Sequence, residues 1–500
     1  MKYLLTLDVG TTAVKAGLFS QALDAVAFSI CEYELLTPAP DQVELDPSTY
    51  WAGVCTAVRD TLAQSGVNPA DIVALTCTTQ GETLIPVDII GNPLHNAVVW
   101  LDSRAKKEAK WIGRQVDRLL LYQCTGLPEI NGYTPIAKLL WFKNNLPEVY
   151  RTTDKFLLLE DYLIYRLTGQ QVSNPALMCT TGYLNIQTDG LYHDILNLCG
   201  LSAGLIPDIW PSGAVVGGLT AKASSELGLP QTVQVTTGAM DQVASAIGSG
   251  NISDDIVTET TGTCQGIAAT VNKEMFTEWS PVTYYSHAVP GKLLKIVINQ
   301  TAGIAYKWFR NEFCPDLVSD GSDAFERMNM LAAKEPPLSR GVSMFPHMTG
   351  MQFPVVDEGA RGVFFGVGLD ATRGSFIRAI MEGVGYMLRE SLEKMRLSPA
   401  RIISLGGGAK SALWCNIKAS ICNTSVQTLD NQETTSLGAA MLGGLAVGLF
   451  PDLNSAMGHL AAKDDFLPAA QDVKAYETGY AEYLKMYRQF APLFQSRKER

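Results

Sequence analysis

Apolar positions along this chain recur with two periods, and the switches between them mark its elements. In "LLTLDVGTTAVKAGLFS" (Leu4 to Ser20), Leu4, Leu5 and Leu7 form a strand-like run that Asp8 interrupts. Gly10 permits a sharp turn, Thr11 and Thr12 bring hydroxyls and amides to it, and Val14, Ala16 and Leu18 then alternate as a returning strand. The runs "DIVALTCTT", "TVQVTTG" and "RIISLGGG" read as strands that end in polar or glycine-rich turns. By contrast, "STYWAGVCTAVRDTLAQSG" and "AYETGYAEYLKMYRQFAPLF" carry helical spacing. In the second of these, Tyr476, Tyr480, Tyr483, Tyr487 and Phe490 share one stripe, which predicts core packing rather than a ligand box. The Gly- and Ala-rich "SLGAAMLGGLAVGLF" is too short an apolar run to span a bilayer and reads as a tightly packed helix.

A mixed α/β chain of 500 residues exceeds one ordinary domain. An internal echo suggests how it divides. "LTLDVGTTAVKAGL" is weakly repeated in "IVTETTGTCQGIAA", so that Asp8-Val9-Gly10-Thr11-Thr12 corresponds to Thr260-Thr261-Gly262-Thr263-Cys264. Two such hairpins half a chain apart predict two related domains closing on one ligand. The Gly-, Ser- and Asp-rich "AIGSGNISDD" supplies the boundary, giving domains 1–246 and 247–500.

Composition narrows the chemistry. A net charge of −11 argues against nucleic-acid and anionic-membrane partners, although backbone amides and a metal ion still bind phosphate locally. Ten cysteines without a CxxC pair fit reduced, buried thiols of a cytoplasmic protein. Five histidines without an HxxH pair leave no histidine zinc site, and the residues before Asp8 are too few for a signal peptide.

Three turns carry the candidate chemistry: Asp8 to Thr12, Thr261-Gly262-Thr263, and Gly406-Gly407-Gly408 ahead of the helix-like "SALWCNIKASIC". Each alone is compatible with an ordinary tight turn; together they suggest a phosphate-bearing ligand. "GAMDQVASAIGSG" adds Asp241 at a strand end, suited either to accepting a hydroxyl proton or to capping a helix. "GLSAG" (Gly200 to Gly204) matches the GxSxG pattern, but a helix-like segment precedes it, so Ser202 begins a loop. Neither a Walker A sequence nor GxGxxG occurs.

In this order the three turns resemble the phosphate-1, phosphate-2 and adenosine motifs of the actin/hexokinase/Hsp70-like ATPases. More narrowly, the chain resembles the FGGY carbohydrate kinases, the family of xylulokinase and glycerol kinase. "YTPIAKLLWFKNN" (Tyr133 to Asn145) matches that family's first signature, and "GVFFGVGLDATRGSFIRAIMEG" (Gly362 to Gly383) its second, apart from Ser375. The resemblance implies two ribonuclease-H-like α/β domains with an interdomain cleft, ATP and Mg²⁺ as cofactors, and a sugar or polyol as substrate. It leaves a homodimer open. It implies that Asp241 is the general base and that Asp8, with Asp241, places Mg²⁺. It assigns ATP to Gly10, Thr11, Thr12, Lys15, Thr261, Gly262, Thr263, Gly303, Gly407, Gly408 and Ser411. The sugar falls to Gln80, Gly81, Glu82, Tyr133 and Asp241, with Asp102 and Arg104 in support.

The substrate is less sharply drawn. Xylulokinases commonly carry Met-His where this chain has Gly81-Glu82, while glycerol kinases carry Arg-Glu. A ketopentose such as xylulose is expected, with glycerol or another small polyol as the alternative. Gly81 is expected to leave room that a Met or Arg would fill, and Glu82 to hold substrate hydroxyls or else to pair with Arg104. The reading from a different class is a non-catalytic, nucleotide-dependent switch.

Overall fold

A computed structural model describes residues 1–318 and 323–498. The chain forms two compact units. The first comprises residues 1–252, 271–294 and 433–460; the second comprises 253–270, 295–432 and 461–500.

In the first unit the opening apolar run forms β1 (Tyr3–Val9), which returns through Gly10 to Thr12 as β2 (Ala13–Ser20), with β3 (Ala25–Glu32) beside it. Asp8 faces Lys15 across this antiparallel pair, and the Gly10 amide closes the turn on the Ala13 carbonyl at 3.0 Å. On the other flank β1 lies parallel to β4 (Ile72–Thr79), and beyond it come β5 (Val215–Gly218) and β6 (Gln234–Met240), in the spatial order β5-β6-β4-β1-β2-β3. Both neighbours of β4 are parallel to it, and Thr79 pairs with Val9 on one side and Met240 on the other. The ends of β1, β4 and β6 are therefore level, and the turns that follow them open on one edge of the sheet, where ligands bind in open α/β sheets.

The glycine-rich segment forms the helix Thr434–Ala446, packed on the helix Asp241–Gly248. A Cβ at Gly438 would lie 1.9 Å from the Ala244 carbonyl oxygen, so these backbones meet only because glycine stands there. Among the described residues no helix is long and apolar enough to cross a membrane.

The second unit repeats the pattern. Its hairpin pairs β7 (Ile256–Thr261) with β8 (Gln265–Asn272), and Thr261 faces Gln265. Strands β9 (Lys292–Asn299), β10 (Arg401–Leu405), β11 (Ser425–Leu429) and β12 (Ala462–Phe466) lie in the order β9-β8-β7-β10-β11-β12, and the short strand Thr283–Ser286 pairs along the outer edge of β9. Again the first hairpin strand, β7, is flanked by its antiparallel partner and by a parallel strand, β10. The tyrosine stripe lies on the helix Ala470–Lys498: Tyr476, Tyr480 and Tyr483 are buried in this unit's core, and Tyr487 and Phe490 pack against it. Ser202 sits in a loop after the helix His193–Cys199, its Oγ accepting from the Gly204 amide at 3.1 Å.

Candidate functional site

Three carboxylates gather at the level strand ends of the first unit: Asp8 of β1, Glu82 just after β4, and Asp241 just after β6. Burial pushes the Asp8 carboxyl up to about 6, with Lys15 opposing and Glu433 adding. Asp241 is pushed up to about 7, first by burial and then by the Asp8 charge, while the Gln242 amide donates to its Oδ1 at 2.6 Å. Asp241 does not cap its helix. Met240 occupies the cap position without a side-chain bond, and Asp241 is the first helical residue, where the backbone amides favour a negative charge.

The loop Gln80-Gly81-Glu82 is held from below. Lys138, from the helix Pro135–Asn145, is fully buried and donates to the backbone carbonyls of Glu82 at 3.1 Å and Val99 at 2.9 Å. Glu82 adopts φ 65°, a left-handed conformation that a non-glycine residue keeps only where its surroundings hold it. Its carboxyl is raised by burial, with Lys138 opposing and Asp241 adding, and burial in turn lowers the Lys138 ammonium. The Gln80 Nε2 donates to the Tyr50 hydroxyl at 3.2 Å, while its buried Oε1 has no partner among the described residues. A buried acceptor of this kind costs stability unless a ligand or water bonds to it.

Two expectations are corrected here. Arg104 is not the partner of Glu82: it pairs with Asp102 at 2.7 Å and Glu44 at 2.6 Å, and Asp102, fully buried, also accepts from the Val43 amide. Nor does Gly81 leave open space. A Cβ there would lie 2.8 Å from the Met240 Sδ and 3.1 Å from the Thr180 Oγ1. Met240 already fills the volume that a side chain at 81 would take.

Other expected residues fall around this edge. Tyr133 is partly exposed and feels the Glu82 charge. Thr11 accepts from the Trp100 indole at 2.9 Å, Thr12 is exposed at the hairpin tip, and Lys15 is paired with Glu433. Sequence reasoning did not single out Lys138, Trp100, Met240 or Tyr285. Tyr284 packs against Phe276, ring centroids 4.3 Å apart, and Ser286 bonds Asp189, so alternation turns Tyr285 the other way. There its phenol, raised by burial, meets the charges of Glu82 and Asp241. Only Lys138 had a local signal, as a lone cation among the apolar positions of a helix.

The second unit carries a separate pocket of about 410 Å³, whose walls include Thr261, Gly262, Thr263, Gly303, Gly407, Gly408 and Ser411. Three chain segments meet there at backbone distance. The Gly303 amide donates to the Gly262 carbonyl at 2.8 Å, and the Ala302 amide to the Thr263 carbonyl at 3.1 Å. Gly406 has φ 76°, and a Cβ at Gly408 would lie 2.5 Å from the Thr261 Cβ. The Thr261 hydroxyl turns inward to Glu259 and Lys418 instead of facing the pocket, and the Ser411 Oγ accepts from the Trp414 amide at the start of the helix Ala412–Cys422. Tyr306, Phe325 and Trp414 add aromatic surface to the wall. Gly408→Ala is expected to lower stability by about 1–3 kcal/mol, the usual cost of overpacking. Denaturant unfolding with the wild-type m-value and no shift in midpoint would show that the wall yields.

A hairpin with a Gly-Thr turn at the head of each of two similar sheets gives the two-domain, actin/hexokinase-like fold. Residues 3–248 match the model of the FGGY family of carbohydrate kinases, N-terminal domain, and residues 259–447 match that family's C-terminal domain. The chain belongs to the FGGY family of carbohydrate kinases. It is 29% identical over 492 residues to a xylulose kinase of Bacillus subtilis (strain 168), covering 97% of each chain. A glycerol kinase of Thermococcus gammatolerans is 28% identical over 460 residues, 90% of each chain. The crystal structure of a gluconate kinase from Lactobacillus acidophilus superposes with a TM-score of 0.89 at 26% identity, covering 99% of each chain.

Proposed function

We propose that this kinase transfers the γ-phosphoryl group of ATP to a hydroxyl of a neutral, polyhydroxylated substrate, a ketopentose such as xylulose. The observation that carries this reading is the gathering of Asp8, Glu82 and Asp241 on one sheet edge, with Lys138 locked beneath Glu82. Carboxylates accept hydroxyl protons and repel a substrate carboxylate, which disfavours sugar acids. Similarity to a xylulose kinase along the whole chain supports a ketopentose, and similarity to a glycerol kinase over nine-tenths of it keeps a small polyol as the alternative.

In this reading the substrate's hydroxyls bond to Glu82, to the unpartnered Gln80 Oε1 and to Tyr133. Asp102 and Arg104 act through the loop, since their bonds are already used. Asp241 accepts the proton of the attacking hydroxyl, and its raised carboxyl suits a base that works near neutral pH. The second unit's pocket takes the nucleotide: Thr263 and the turn at Gly407-Gly408 offer backbone amides to phosphates, the Gly262 amide closes its own turn on the Cys264 carbonyl, and the aromatic wall takes the base. Thr11 and Thr12 present donors to the transferring group from the first hairpin, where Gly10 makes the turn with its own amide bonded to the Ala13 carbonyl. Lys15, tied to Glu433, shapes the field at Asp8. Two raised carboxyls close to each other fit a hard divalent cation, and Asp8 and Asp241 would hold Mg²⁺. Bound there, it would offset the charge of the polyphosphate.

Assays of ATP-dependent phosphorylation across ketoses, polyols and sugar acids test the substrate. The highest kcat/KM is expected on a ketopentose; preference for a sugar acid would overturn the argument from charge. Glu82→Ala is expected to lower kcat/KM by at least ~10-fold, the ~1.4 kcal/mol of a charged hydrogen bond. That loss should shrink for the deoxy analogue lacking the hydroxyl that Glu82 holds. Equal losses on every analogue would instead mean that Glu82 only balances Lys138 and shapes its loop.

A further inference from the structure

We propose that the buried ion pair Glu259–Lys418 is the positioning device of the nucleotide wall, holding the Thr261–Thr263 turn and the Gly406–Gly408 turn in the geometry that binds polyphosphate. This rests on the nucleotide reading of the second unit's pocket. Both side chains are 0% exposed, with Nζ and Oε2 2.7 Å apart. Every bonding position is used. Glu259 Oε2 also accepts from the Ser404 hydroxyl at 2.9 Å, and Oε1 accepts from the Gln265 amide at 3.0 Å and from the Thr261 hydroxyl. Lys418 further donates to the Thr261 Oγ1 at 2.8 Å and the Ser404 Oγ at 3.2 Å.

The placement of these groups gives the pair its role. Glu259 and Thr261 belong to β7, Gln265 to β8, Ser404 to β10, and Lys418 to the helix after the glycine turn. One network therefore ties both arms of the hairpin to the strand that enters the Gly406–Gly408 turn and to the helix that leaves it. Two apolar side chains of the same volume would fill this space without the cost of taking two charges out of water. Directional bonds are what they would not supply. The pair turns the Thr261 hydroxyl away from the pocket and fixes the backbone of the turn on which Thr263 presents its amide. Its two charges cancel, so its effect on a nucleotide is geometric.

Removing one charge exposes the other. In Lys418→Met the Glu259 carboxyl is buried without a cation, which raises its pKa. Below that value the neutral acid keeps its bonds to Gln265, Ser404 and Thr261. Above it, an uncompensated carboxylate sits under the turn, displacing it and repelling phosphate. The thiols of Cys415 and Cys422, which also face the pair, are pushed up to about 11 and about 12 by burial and stay neutral throughout.

Calorimetric titration of the full-length protein with ATP, without sugar and well below each variant's Tm, tests this. The readout is each variant's Kd relative to wild type at the same pH. For Lys418→Met the ratio is expected to reach at least ~10 at about pH 8.5 and to fall, at about pH 6, to the several-fold level of a pair that buries no charge. Glu259→Gln combined with Lys418→Met buries no charge; its ratio should be raised several-fold and should not vary with pH. A lower Tm with wild-type ATP affinity in the double variant, or no pH trend in Lys418→Met, would overturn the proposal and leave the pair a core element only. If Lys418→Met does not fold, the double variant decides. Failure of the wild type to bind ATP would overturn the nucleotide reading itself, and this inference with it.

Discussion

Asp241→Asn is expected to lower kcat by roughly 10²-fold or more, the usual scale for a positioned general base, while ATP affinity is retained. Asparagine keeps the shape and the Oδ1 that accepts from the Gln242 amide, but it accepts no proton. The structure removes the main competing account of a loss at this position: Met240, not Asp241, holds the helix-cap position, so little stability should go with the carboxylate. Steady-state kinetics with parallel thermal melting check it. Near-normal turnover would leave Asp241 with no chemical role.

Asp8→Ala should cost a comparable factor, on the order of 10²-fold in kcat/KM, as for other groups that stabilise developing charge. Asp8 lies opposite Lys15 on the hairpin and close enough to Asp241 to raise its pKa. Its removal takes away one of two carboxylates proposed to hold Mg²⁺, so the Mg²⁺ concentration giving half-maximal rate should rise as well. An unchanged Mg²⁺ titration with an unchanged rate would reduce Asp8 to a residue of the turn. A fall in rate that Mg²⁺ does not relieve would point to Lys15, left facing Glu433 alone.

Much of the fold was legible along the chain because its signals are local. The run from Leu4 to Leu7, the break at Asp8 and the Gly10 turn specify a hairpin through neighbouring residues, and the echo at Thr261 specifies a second. The tyrosine stripe from Tyr476 to Phe490 announces a buried helix face through its period alone. The site was legible only in outline. Its turns could be listed, but the partners of its side chains could not. Glu82 meets Lys138 and not Arg104, because Arg104 finds both Asp102, two positions away, and Glu44, 60 positions away. The space beside Gly81 is taken by Met240 from β6, a strand far along the chain but adjacent in the sheet.

By itself, then, the sequence determined where strands end in turns, which turns carry carboxylates or glycines, and that the pattern occurs twice. Those features depend on backbone preference and on the alternation of apolar residues, which act over a few positions. Only the tertiary structure decided that β1, β4 and β6 end level, so that Asp8, Glu82 and Asp241 share one edge, where burial and then the Asp8 charge raise Asp241, and burial with Asp241 raises Glu82. It alone decided that Thr261 turns its hydroxyl inward to a buried Glu259–Lys418 pair 159 positions apart in the chain. Burial and charge act through space, and their strength depends on which distant segments pack together to exclude water.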